Sequence, residues 1–284
     1  MAERKKNQWT AVINPVSGWF DFKLKELWDY RDLIGLFFRR YFVVYYKQTL
    51  LGPLWFLLQP LLTTIMFTII FSWVAKLPTS DTPPMLFYMS GTILWSFFAT
   101  CVTTNSRTFT DNVNIFSKVY FPRLVIPISV VLSNMLNLLI QLALLAGFWI
   151  YYKSGGANIA LSSNMLLVPV LIIQMAMLGL SVGILISSLT TKYRDLVFIV
   201  TFGIQLWMYA SPVVYPLSLV PERFKVLILL NPMTMVIEGF RSAIFGNSTI
   251  NMEVYLLSFL MTIGLFIFSI MLFNRIEKTF IDRV

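Results

Sequence analysis

The stretch YYKQTLLGPLWFLLQP, residues 45–60, passes within a few positions from charged and tyrosine-rich to wholly apolar, with Leu51, Gly52 and Pro53 at the change. Proline suits the first turn of a helix, where its missing N–H has no partner to lose. The stretch therefore reads as a hinge, in which a surface helix ends near Gly52 and an upright, membrane-crossing helix begins at Pro53. Just ahead of it, LKELWDYRDLIGLFFRRYF interleaves Leu24, Leu27, Trp28, Leu33, Ile34 and Phe37 with Lys25, Arg31, Arg39 and Arg40. That is the pattern of an amphipathic helix in the inner interface, its basic side chains toward anionic headgroups. A juxtamembrane anchor with no further role would carry the same pattern.

Working outward, 57% of the 284 residues are hydrophobic and 12% charged, and the mean hydropathy is +0.75. Soluble domains hold roughly 45–50% apolar and about 25% charged residues, so the chain is an integral membrane protein. Six apolar runs are long enough for a hydrocarbon core of about 30 Å: 53–74, 85–104, 124–151, 165–190, 196–217 and 254–273. The predicted fold is all-α and polytopic, with six transmembrane helices. Residues 1–52 form a cytoplasmic segment carrying the interface helix, and 53–284 form the membrane domain. Between the last two spans, 217–251 is cut by Pro221, Arg223, Lys225, Pro232, Glu238 and Arg241. Its pieces are too short to cross and read as two short re-entrant outer helices, with an ordinary outer loop as the other reading.

Charge sets the orientation. With the N-terminus inside, only Lys76, Lys153, Arg223, Lys225 and Arg241 of the 22 Lys and Arg lie outside, so the positive-inside rule places both termini in the cytoplasm. The first long apolar run comes too late in the chain for a secretory signal peptide. The net charge of +9 is thereby attributed to topology and membrane lipids, not nucleic acid.

Several chemistries lack residues. The six runs contain no Asp, Glu, Lys or Arg, and the chain has no histidine, which argues against a proton relay. The single cysteine, Cys101, excludes an intrachain disulfide. No phosphate loop of the G-x-x-x-x-G-K-[ST] type is present, and no metal or acid/base constellation suggests an enzyme. The Glu238 and Arg241 pair reads as a helix-surface ion pair.

The runs do offer rings and amides. Phe198, Phe202, Gln205 and Tyr209 share one face of the fifth, and Trp55, Gln59, Thr63 and Phe67 one face of the first. Such faces suit sugars, whose C–H faces stack on rings while their hydroxyls seek amides; helix packing or lipid contact would use the same residues. Asn134, Asn137 and Gln141 stripe the third run and suit interhelical hydrogen bonds.

Four stretches, in order, carry a resemblance: YKQTLLGPLWFLLQP, NVNIFSKVYFPRLVIPIS, KYRD and NPMTMVIEGFR. Together they resemble the transmembrane subunit of bacterial ABC exporters for O-antigen and related lipid-linked polysaccharides, the Wzm-like permeases. The resemblance implies a homodimer in the bacterial cytoplasmic (inner) membrane, bound to a separate cytoplasmic ATPase that holds ATP and Mg; this chain carries no cofactor. It implies a substrate channel along the first and fifth spans, and so along Trp55, Gln59, Thr63, Phe67, Phe198, Phe202, Gln205 and Tyr209. A cytoplasmic gate and lipid-headgroup site would fall at Arg39, Arg40, Lys47, Leu51 and Gly52. A coupling helix to the ATPase would use Thr110, Asp111, Asn112, Asn114, Phe116 and Lys118, and the two outer helices would close the exit. Teichoic acid, capsule or a small amphiphile are alternative cargoes, and an energy-independent lipid scramblase is a further alternative.

Overall fold

A computed structural model describes residues 24–44, 52–160, 162–190, 195–246 and 251–280. In chain order the helices are α1 (Leu24–Asp29), α2 (Arg31–Val44), α3 (Trp55–Phe67), α4 (Pro84–Asn105), α5 (Thr108–Asp111) and α6 (Val113–Phe116). They continue as α7 (Val125–Ser154), α8 (Leu167–Thr190), α9 (Leu196–Tyr209), α10 (Glu222–Leu229), α11 (Pro232–Phe245) and α12 (Met252–Phe280). No strand occurs among the described residues, so the all-α expectation holds.

Among the described residues five helical stretches are long and apolar enough to cross a membrane: Trp55–Val74, Pro84–Asn105, Val125–Ser154, Asn164–Thr190 and Met252–Ile276. The expected fifth span differs. Its helix stops at Tyr209 after 14 residues, about 21 Å at 1.5 Å per residue, because Pro212 cannot supply a helical N–H and disfavours helix at the residue before it. The chain instead turns, and the Tyr215 hydroxyl donates to the freed Tyr209 carbonyl at 3.1 Å. Beyond it, α10 and α11 meet at a 96° bend. Asn231 makes that corner: its Oδ1 accepts from the Met233 N–H at 3.1 Å as an N-cap, and Pro232 takes the first helical position.

The bundle is built around α4, whose residues from Leu86 to Trp95 are all buried. On α8, Gly179 and Gly183 form a G-x-x-x-G pair against Cys101 and Asn105 of α4. A Cβ at Gly179 would lie 2.9 Å from the Cys101 Cβ, and one at Gly183 2.5 Å from the Asn105 Cβ. Only glycine permits that approach. On its far side α8 packs along α12, where Gln174 Nε2 donates to Ser258 Oγ at 3.0 Å and Thr262 Oγ1 at 3.2 Å.

A second core lies where α2, α5 and α6 meet the start of α7. Phe37 of α2, Phe109 of α5, Phe116 of α6, Phe121, the first residues of α7, Ile184 of α8 and Phe273 of α12 pack together. Phe109 stacks on Phe273 with centroids 4.8 Å apart, and the Arg123 guanidinium lies over the rings of Phe116 and Phe109 at 5.3 and 5.9 Å. Helix α2 lies along α7, where Ser129 Oγ donates to the Ile34 carbonyl at 3.2 Å.

Candidate functional site

The two helices predicted to face substrate bury few of their own residues, Pro60 and Thr64 on α3 and Ile204 on α9. Both rest on α4. Thr64 of α3 meets Thr92 of α4, hydroxyl to hydroxyl, at 3.2 Å, and Trp207 of α9 sets its ring edge-on to Phe98 with centroids 5.3 Å apart. The predicted faces point away from those anchors. Trp55 is 48% exposed, Phe198 78%, Phe202 62% and Tyr209 56%, and Gln59, Thr63 and Gln205 are exposed beside them. Phe67 departs from this set: it is half-buried and sets its ring edge-on to Phe71 at 5.4 Å, because a step of four overshoots a 3.6-residue turn and rolls the position toward the core.

Pro60 marks a break in the hydrogen bonding of α3. Lacking an N–H, it leaves the Phe56 carbonyl without its helical donor, and Gln141 Nε2 donates to that oxygen from α7 at 3.3 Å. Asn134 Nδ2 likewise reaches Cys101 Sγ at 3.6 Å, so the polar stripe of the third span does bond between helices. Farther along, the helix continues into a π-helical stretch, Thr68–Val74.

Between α4 and α7, where one coupling helix was expected, the chain forms two one-turn helices kinked at Asn112. The kink divides the residues. Asn112 and Phe116 are buried, Asp111, Asn114 and Lys118 are exposed, and Thr110 is intermediate. Asn112 also hydrogen-bonds the Tyr41 hydroxyl of α2; burial pushes that phenol above its ordinary value, while the Arg40 charge and the Asn112 bond oppose the shift. Arg39 and Arg40 are exposed on α2. Gly52 has φ +49°, in the left-handed region that favours glycine; Lys47 and Leu51 lie outside the described residues.

The opposite end of the bundle holds Arg241, whose sequence position suggested only a helix-surface pair with Glu238. Arg241 is 5% exposed, not a surface group. Its guanidinium donates to the Pro212, Val213 and Phe87 carbonyls at 2.6, 2.7 and 3.2 Å and to Ser90 Oγ at 3.3 Å. It also donates to Glu238 at 3.3 Å and sits 3.7 Å from the Phe87 ring centroid. One side chain thus ties α11 to the start of α4 and to the turn after α9. Ser211 of that turn accepts from Asn231 Nδ2 at 2.8 Å as well.

A family model described as ABC-2 type transporter matches residues 32–245, from the start of α2 to the end of α11. The chain belongs to the ABC-2 type transporter family. Two O-antigen export system permease proteins RfbA of Klebsiella pneumoniae are 30% and 29% identical to this ABC-2 chain, each over 88% of it and 94% of the relative. A protein of the same name from Myxococcus xanthus is 27% identical over 78% of the ABC-2 chain and 84% of its own length. The ABC-2 chain is a multi-pass membrane protein, and among its described residues no three His, Cys, Asp or Glu side chains converge on one point. The NPMTMVIEGFR stretch now has a structural reason, with Asn231 capping α11, Pro232 starting it and Arg241 fastening it.

Proposed function

We propose that this chain is the membrane-spanning subunit of an ATP-driven exporter that moves a lipid-linked polysaccharide of O-antigen type across the bacterial cytoplasmic membrane. The observation that carries the reading is the likeness to O-antigen export permeases along nearly the whole chain. The geometry is consistent with it. A transport path needs a face that the subunit's own core does not cover, and the rings and amides of α3 and α9 are such faces. Two copies of the chain, bound to two cytoplasmic ATPases holding ATP and Mg, would enclose the path between these helices. Trp55, Phe198, Phe202 and Tyr209 would offer ring faces to sugars, and Gln59, Thr63 and Gln205 hydrogen bonds, with Phe67 behind them.

On this reading Asp111, Asn114 and Lys118, with Thr110 at their edge, meet the ATPase, while Asn112 and Phe116 pass its movement to α2 and to the inner ends of α7, α8 and α12. Arg39, Arg40 and Lys47 attract the lipid pyrophosphate, and Leu51 and Gly52 form the gate hinge. α10 and α11 close the exit. The experiment is depletion of the chain in its native host, comparing surface-labelled polysaccharide with total extracted glycolipid. Surface material is expected to fall while internal glycolipid accumulates. Unchanged surface and total material, in a host without a second exporter, would refute the polysaccharide cargo and turn attention to teichoic acid, capsule or a small amphiphile. Lipid transfer by the purified chain without ATP would instead favour a scramblase.

A further inference from the structure

A cavity of about 220 Å³ lies behind the exposed face of α3, between α3, α4 and α7. Trp55 and Gln59, exposed on α3, line it, together with Ser96 and Thr100 from α4 and Asn137 and Gln141 from α7. No residue of its wall is charged. That excludes the usual partners of a phosphate or a cation. Each carboxamide offers both a donor and an acceptor, and each hydroxyl does the same, so the wall suits a neutral ligand rich in hydroxyl groups. The volume equals about seven waters of the liquid, enough for one sugar ring and too little for a chain of them. Asn137 lines the cavity, and its Oδ1 is buried with no hydrogen-bond partner among the described residues.

We infer that this cavity is a side niche that takes one uncharged sugar ring, stacked at its mouth on Trp55 and hydrogen-bonded within by Asn137 and the neighbouring amides and hydroxyls. The inference rests on the export reading, because the mouth opens on the same face of α3 that the polysaccharide would pass. It goes further in giving the path a point where single sugar units are held by hydrogen bonds, apart from ring contacts along α3 and α9.

The test uses the full chain purified in lauryl dimethylamine oxide, a detergent without a sugar. Saturation-transfer NMR is recorded with the methyl glycosides of glucose, galactose, mannose and N-acetylglucosamine as probes. The native chain is expected to transfer saturation to at least one of them. Asn137→Leu, close in volume but without the amide, should weaken that transfer about threefold to tenfold, the effect of one lost hydrogen bond. Asn137→Gln should keep part of it, and Ile173→Val, exposed on α8 and outside both the niche and the proposed path, should leave it unchanged. If Asn137→Leu does not elute as a single species, Thr100→Val reads the same cavity and should weaken binding likewise. Equal transfer to the native chain and Asn137→Leu, or no transfer to either, overturns the niche. Host depletion separates the two ideas: lost surface polysaccharide with an Asn137-insensitive glycoside signal removes the niche alone, whereas unaffected surface polysaccharide removes the export reading.

Discussion

Replacing Arg241 with methionine keeps most of the side chain's length and removes its charge and all its donors. The structure sets the scale of the loss. Of the five hydrogen bonds, those to the Pro212 and Val213 carbonyls, 2.6 and 2.7 Å long, have the short geometry of charge-assisted bonds. Such bonds contribute about 1.5–3 kcal/mol each, so these two alone account for about 3–6 kcal/mol, close to the range of about 3–5 kcal/mol for breaking a buried charged pair. Glu238→Gln is the contrast. It keeps an acceptor 3.3 Å from Arg241 and leaves the other four bonds of the guanidinium in place, so the loss should be about 1 kcal/mol, the net worth of one hydrogen bond. At roughly 2–4 °C per kcal/mol for a chain of about this size, Arg241→Met should lower the unfolding midpoint by about 10 °C and Glu238→Gln by about 2 °C. The chain supplies its own reporter, because its single cysteine, Cys101, is buried and reacts with a thiol dye only when the core opens. Equal shifts for the two variants, or a shift under about 2 °C for Arg241→Met, would refute the strut.

Three further outcomes follow from other contacts. Gln141→Leu removes a donor to the Phe56 carbonyl and should cost about 0.5–1.5 kcal/mol, the net worth of one hydrogen bond; adding Pro60→Ala, which restores the helix's own N–H, should recover part of that loss in the same dye assay. Gly183→Ala forces a Cβ to within 2.5 Å of the Asn105 Cβ, and overpacking of about 1–3 kcal/mol should appear as a lower midpoint and less folded protein after extraction. Phe116→Ala should destabilise by about 3–5 kcal/mol as a buried ring is removed, whereas Asp111→Asn, on the exposed side of the same segment, should stay within about 0.5 kcal/mol and instead reduce the ATPase that copurifies.

The spans were legible in the sequence because uninterrupted apolar length is a strong and additive pattern, and Pro53 and Pro84 stand near real helix starts. The predicted faces of α3 and α9 were legible for the same reason: helical period alone separates Trp55, Gln59 and Thr63 from Thr64. What the sequence hid was partnership at a distance. Arg241 looked like one end of an i,i+3 pair because its stronger partners lie far from it in the chain. The end of α9 was hidden because apolar character continues through Val213 and Val214 while the backbone has already turned at Pro212. The Gly179 and Gly183 pair was readable as a small-residue motif and passed unused, and Pro60 within an apolar run, with a polar stripe on another span, foreshadowed the Gln141 bond. The form of residues 108–116 was hidden for a different reason: the resemblance implied one helix, but the chain kinks at Asn112, and Phe109 and Phe116 turn into the second core.

The glycine contact between α4 and α8 has a mechanical consequence. Two helices whose backbones touch at Gly179 and Gly183 have no side-chain layer on which to slide, so they form a rigid frame for the subunit. α3 and α9 hang on that frame like shutters, each fastened at a few points, Thr64 on Thr92 and Trp207 on Phe98. On the export reading proposed above, a passage along them would widen by the swing of a shutter, while the frame would keep its shape.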